Sequence, residues 1–246
     1  SVPMTNIMEP TTTTKTAFTG MPQGAFDLLE ELAQDNTSDW MRAHRLRVLS
    51  DLRSPFIHFL EDTARRLQED GIQLEGGEAT CFRMQRDLRF TADRRPYHEH
   101  IEAVFSRGGQ RIATRASIHV RLGREGSFLR AGSFLQPAAT LRALRESMVA
   151  RDERFLELAR DMAQHDCGLT SKRVLKRSPR GFENAGTEEL MDLLRLVDPV
   201  AERLLPLDLW RGEGIVEAVQ DFAQATRKWR LFIEEAVDHL GPQSQD

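Results

Sequence analysis

The chain has 246 residues, 40% of them hydrophobic, which is enough for one large domain. A formal net charge of −4 supplies no global basic field for nucleic acid, and two cysteines, Cys81 and Cys167, exclude a disulfide framework and fit a reducing compartment, the cytosol. No apolar run approaches the length of a membrane span, and the start of the chain lacks the basic-then-apolar order of a signal peptide.

Residues 1–16, which end in TTTTKT, hold almost no large apolar side chains and are expected to be a disordered tail, with Met4 as a natural start. A single domain is expected over residues 17–242. After the turn-rich Phe18-Thr19-Gly20-Met21-Pro22, apolar residues at helical spacing predict a helix from Gly24 to Asp35. A second helix should begin near Asp39, with Ser38 as its N-cap, and a third at Ser54-Pro55. The third would bury Phe56, Phe59, Leu60, Thr63, Ala64 and Leu67 and stop at Gly71.

The period then changes to two. Strands are expected at Cys81–Phe90, His100–Arg107, Arg111–Leu122 and Ser127–Phe134, with a polar turn at 91–96 and a hairpin turn at Gly108-Gly109. Pro137 restarts helix, with apolar stripes at Leu141, Leu144, Met148 and at Phe155, Leu158, Ala159, Met162. Residues 169–182 read as irregular and basic, and Glu188–Leu196 as a short helix. Ile215–Leu240 reads as the longest helix, facing Val219, Phe222, Ala223, Trp229, Phe232, Ile233 and Val237 inward. Helices, then strands, then helices make an α+β fold: a central antiparallel sheet of about four or more strands with C-terminal helices packed on it.

Charge is uneven along this order. Residues 81–130 hold eleven arginines, no lysine and five acidic residues, a net +6, so the remainder carries −10. The densest run is CFRMQRDLRFTADRRPY, residues 81–97, with five arginines and two aspartates. As a strand, Phe82, Met84, Arg86, Leu88 and Phe90 share one face, and Cys81, Arg83, Gln85, Asp87 and Arg89 lie on the other, each about 7 Å from its same-face neighbour. Two readings follow. Asp87 pairs with an arginine on a neighbouring strand in a solvated ionic face, or it fixes an arginine fork toward a phosphate or carboxylate ligand.

The second reading makes Arg83, Arg86, Asp87, Arg89 and Asp93 ligand-binding residues. Lys176 and Arg180 of LKRSPRGF would close from a later basic loop over Arg83 and Arg89. Tyr97 and His98 stand nearby as groups able to donate or move a proton. The ligand class is a small anionic metabolite, and the protein is then either an enzyme acting on it or a non-catalytic binding or interaction module. His98-Glu99-His100, with His119 or Asp93, is a weak metal pattern, and no metal site is assigned. Cys81 beside the arginines is a thin case for a nucleophile. No phosphate-loop, dinucleotide-binding or nucleophile-elbow motif is present, and no cofactor is named. The arginine face lacks stacking aromatics, so no sequence-specific nucleic acid is expected.

RDLRFTADRRPYHEH resembles the R-D-x-R-F-S-x-D-K-x-P-Y-K segment of the proteins catalogued as domain of unknown function 2461. Residues 18–22 are similar to that family's F-x-G-F-P opening, residues 35–40 to its N-N-x-x-x-W, residues 131–137 to its A-G-x-W-x-P, and residues 175–182 to its L-K-R-x-P-K-G-F. The resemblance implies a cytosolic single-domain α+β protein and names no reaction. It departs at Thr91, His98 and Phe134, where the family carries Ser, Lys and Trp. His98 places in doubt any lysine chemistry the family shares.

Overall fold

A computed structural model describes residues 16–109, 111, 116–132 and 137–240. The expected disordered tail lies outside these residues, apart from Thr16, as do parts of the strands expected at 111–122 and 127–134.

Helix α1 (Gln23–Gln34) buries Leu28, Leu29 and Leu32, as its periodicity requires. Helix α2 (Ser38–Val48) is capped one residue earlier than expected. Thr37 has extended backbone and its hydroxyl accepts the Trp40 N–H, whereas Ser38 is already helical. No break precedes Ser54-Pro55. A π-turn at Leu49–Arg53 leads straight into α3 (Ser54–Glu69), and the wider turn accommodates a proline with no N–H to give. The apolar face expected for α3 is buried throughout, and Gly71, at φ +78°, follows its end.

The described residues form a five-stranded sheet in the order β1-β2-β3-β5-β4, antiparallel at each pairing. The strands are β1 (His100–Phe105), β2 (Ile118–Gly123), β3 (Ser127–Gly132), β4 (Leu169–Thr170) and β5 (Val200–Leu205). Between β3 and β5 the chain makes α4 (Ala138–Ala150), α5 (Asp152–Gln164), β4 and α6 (Glu188–Leu194). The protein is α+β, with helices before and after the sheet.

Two expectations are corrected, and one strand was not foreseen. Cys81–Phe90 is not a ladder strand: it touches the sheet through a single bridge, Cys81 to Ala103 of β1, and a second bridge, Gln85 to Tyr97, pairs it with the segment that follows it. Its side chains still alternate up to Arg89, but Cys81 is buried and Phe90 is 90% exposed. The long C-terminal helix is two, α7 (Gly214–Ala225) and α8 (Arg227–Val237), broken at Thr226, whose hydroxyl donates to Phe222 O. Val200–Leu205, which carries no strong period-two signal, is a full strand of the sheet.

One face of the sheet makes the core. Ile101, Ala103, Phe105, Ile118, Val120, Leu122, Leu129 and Ala131 are buried there. Phe59 of α3 meets Phe105 edge-on, and Trp210 packs against Phe56 and Phe59 while donating its Nε1–H to Ser127 Oγ at 2.7 Å. Trp229 of α8 donates to Ala131 O at 2.9 Å, beside Gly132 at the end of β3.

Gly132 sits at φ +146°, and a Cβ there would lie 2.7 Å from Pro199 O and 3.1 Å from Val200 Cα. Gly132→Ala is expected to cost about 1–3 kcal/mol in urea denaturation, against less than about 0.5 kcal/mol for Gly126→Ala, where nothing stands within 4 Å.

Candidate functional site

The outer face of the sheet is charged. Strand register puts Glu102, Arg121, Phe128 and Leu204 in one cross-strand row and Val104, His119, Arg130 and Glu202 in the next. Arg121 and Arg130 both lie over the Phe128 ring, with guanidinium carbons 4.7 and 3.7 Å from its centroid. Glu102 is the centre of the first row. It accepts from Arg121 Nε and Nη2 at 2.9 and 2.7 Å, His119 Nδ1 lies 3.1 Å away, and His100 Nε2 lies 3.4 Å away. A carboxylate only accepts, so His119 carries its proton on Nδ1. Burial by itself pushes a carboxyl pKa up. Here the hydrogen bonds from His100 and His119 and the Arg121 guanidinium outweigh it and hold Glu102 far below the usual carboxylate range.

Residues 84–98 form a strap beside this face. Its arms pair through Arg86 N–H to Pro96 O (2.8 Å) and His98 N–H to Met84 O (2.7 Å). The strap is built from two copies of one local unit. Asp87 accepts the Arg89 backbone N–H and grips its guanidinium from both oxygens, and Asp93 does the same to Arg95. An aspartate that turns the chain through the N–H two residues on, and also meets that residue's fork, places carboxylate beside guanidinium by local geometry. These pairs hold Asp87 down to about 2 and Asp93 lower still, in each case chiefly through the side-chain hydrogen bond from the arginine. Asp87 therefore pairs within its own segment and not with a neighbouring strand. Arg86 closes the strap from inside, donating to Arg95 O at 2.8 Å and to Asp93 O at 3.3 Å, with Asp93 Oδ1 at 3.2 Å.

Among the described residues, one side chain supplies hydrogen bonds between the strap and the helical part, while Met84 and Tyr97 pack against the core. Asn36, between α1 and α2, accepts the Tyr97 N–H at 3.1 Å and donates to Tyr97 O at 2.9 Å and to Glu99 Oε2 at 3.1 Å.

Strap and sheet enclose the largest of the described pockets, of about 760 Å³, with Arg86, Arg95, Tyr97, His98, His100, Arg121 and Phe128 among its walls. A smaller one of about 280 Å³ adjoins it, sharing His98, His100 and Arg121 and adding Phe82, Arg83 and Glu102. The His98 and His100 rings stack with centroids 4.8 Å apart. Burial first, then His100, Arg86 and Arg121, lower the His98 pKa below its ordinary 6.5 against the opposing pull of Glu102.

Residues 24–232 match the family described as conserved hypothetical protein (DUF2461), a span that contains the Asn36 tie, the strap and the whole sheet. The chain belongs to this family. No curated protein and no solved structure matches it.

The expected site residues thus fall in three places. Arg83, Arg86, Asp93, Tyr97 and His98 lie in or beside the two adjoining pockets. Asp87 and Arg89 form an exposed pair on the strap. Lys176 and Arg180 lie in a loop tied elsewhere, by Leu175 N–H to Arg195 O and by the buried Phe182, and neither lines the strap pockets. Glu102, Arg121 and Phe128 were not singled out from the sequence. Each is one ordinary member of an alternating strand, and only the register between strands brings them together. Cys81 is buried and its thiol is pushed up by desolvation, which removes the case for a nucleophile. Among the described residues no group of three or more His, Cys, Asp or Glu side chains is arranged to hold a metal ion, and no helix is long and apolar enough to cross a membrane.

Glu102→Gln is expected to cost about 3–5 kcal/mol at pH 7, because it leaves the charge of Arg121 uncompensated on a half-buried face. A carboxyl with a depressed folded pKa stabilises above its unfolded value of about 4.3 and loses that contribution as pH falls through the folded one. Urea denaturation of the two proteins should therefore give stabilities that converge as pH is lowered below about 4. In an NMR titration, His98 should have its midpoint below 6.5.

Proposed function

We propose that the protein binds a small anionic metabolite, a phosphate ester or a carboxylate, in the pockets between strap and sheet. The observation that carries this reading is the contrast among the arginines there. Arg86, Arg95, Arg121 and Arg124 are each committed to protein oxygens, while the exposed Arg83 has no hydrogen-bond or ion-pair partner among the described residues and stands at the mouth shared with His98 and His100. A free guanidinium fork offers bidentate recognition of an oxyanion, and arginines already fixed beside it supply field without having to reorganise.

In this reading Arg83 receives the anion, Arg86 and Asp93 keep the strap wall rigid, and Asp87 with Arg89 holds the exposed part of the strap. Lys176 and Arg180 carry none of the argument. His98, kept neutral at pH 7, is the group able to accept a proton, and Tyr97 is a hydroxyl donor in the same pocket. The pocket without proton transfer is a binding module, so binding and turnover have to be read separately.

A thermal-shift panel of sulfate, phosphate, nucleotides, sugar phosphates and small organic acids tests this. An anion at 100 times its dissociation constant adds about 2.7 kcal/mol of stability. At least one should do so, with affinity reduced about tenfold or more by Arg83→Ala. No stabilisation by any anion, or equal stabilisation of Arg83→Ala, leaves Arg83 a surface group and removes the reading. With a stabilising anion in hand, turnover abolished by His98→Ala while binding persists assigns an enzyme, and no turnover by either protein assigns a binding module.

A further inference from the structure

We propose a second anion site, at the junction of α7 and α8, where Arg107, Arg227 and Arg230 converge on a pocket of about 320 Å³ that would take the phosphoryl group of a free phosphate monoester. It lies apart from the strap, and no wall residue is shared with the strap pockets.

Arg230 is 8% exposed, yet it lines the pocket. One edge of its guanidinium closes the end of α7, with Nη2 donating to Ala223 O at 2.7 Å and Nε to Thr226 Oγ1 at 3.4 Å. The other nitrogen, Nη1, has no partner among the described residues and opens on the pocket. A buried guanidinium needs a compensating charge. Among the described residues Glu234 is the single carboxylate in the pocket wall, and it already accepts from Arg107 at 3.2 Å. Arg227 adds a third cation, exposed and with no partner among the described residues. Three guanidinium groups against one carboxylate leave two positive charges on a small cavity. Burial, the largest cause, and then Arg227 and Arg107 push the Arg230 pKa down to about 10 against the pull of Glu234.

Helix capping alone does not account for this arrangement. Arg145 performs the same task for α6, donating to Leu194 O and Leu196 O, and the charge acting on it is the favourable one of Asp198. Arg230 instead has two like charges gathered around it. A phosphate monoester, carrying about −1.5 to −2 at neutral pH, matches the surplus, whereas a monocarboxylate leaves half of it unmet. Leu231, 46% exposed, gives the wall an apolar side for a short ester body.

The test uses the full chain carrying Arg83→Ala, so that failure of the strap reading does not touch it. Calorimetric titration with inorganic phosphate at low ionic strength should show one phosphate per chain, and adding Arg227→Gln should raise the dissociation constant by about tenfold. Arg227 makes no bond within the described fold, so the variant should keep its melting temperature. Arg107→Gln is the second variant should Arg227→Gln fail to fold. No phosphate binding in the Arg83→Ala protein, or a rise of less than about threefold on removing either arginine, overturns the proposal.

Discussion

A carboxylate on the outer face of a sheet has either to reach water or to be neutralised where it stands, and the site side of this molecule is organised by the second choice. Glu102 draws His100, His119 and Arg121 onto itself. Arg121 in turn lies over Phe128, and Phe128 is shared with Arg130, which pairs with Glu202. One half-buried charge thereby fixes side chains across four strands and presents two stacked imidazoles and a fixed guanidinium to the space under the strap. The apolar face needs no such device, because Phe59, Trp210 and their neighbours close it by packing alone.

The strap shows how a surface can be rich in arginine and still offer few free charges. Five arginines lie between residues 81 and 97, and four of them are bonded to oxygens of their own segment or to Glu99. Density of guanidinium is therefore a poor measure of ligand affinity here. What matters is which fork is left over, and that is Arg83. At the α7–α8 junction the same criterion is met by Arg227 and by the unused nitrogen of Arg230.

Much of this was legible before the structure. The helical periods of α1, α3, α5, α7 and α8 identify the residues that each buries, since burying a stripe is what stabilises such a helix. Arg83, Arg86, Asp93, Tyr97 and His98 are brought together as the run of charge suggested. The false strand at 81–90 has a physical cause: its side chains alternate because one side rests on the protein, but alternation does not require ladder bonds, and the backbone makes only two bridges. The break at Thr226 has no glycine or proline to announce it; a side-chain hydroxyl turning back on Phe222 O is invisible to composition. Glu102, Arg121 and Phe128 went unseen because register is a property of pairs of strands. The repeated Asp-x-Arg of the strap was in plain view, at Asp87-Leu88-Arg89 and Asp93-Arg94-Arg95, and its local geometry explains the carboxylates better than any neighbouring strand.

The Asn36 tie has a kinetic meaning as well as a static one. It joins positions 61 residues apart, so the strap acquires its place only after a long loop has closed, and it gains little from contacts near in sequence. Met84 and Tyr97 rest on the core, and the Asn36 amide supplies the hydrogen bonds that join the strap to the helical part. Its opening breaks these hydrogen bonds and the packing of two half-buried side chains, far less than is lost when the core unfolds. The strap is the part whose backbone amides should exchange with solvent by local opening, well ahead of the sheet beneath it.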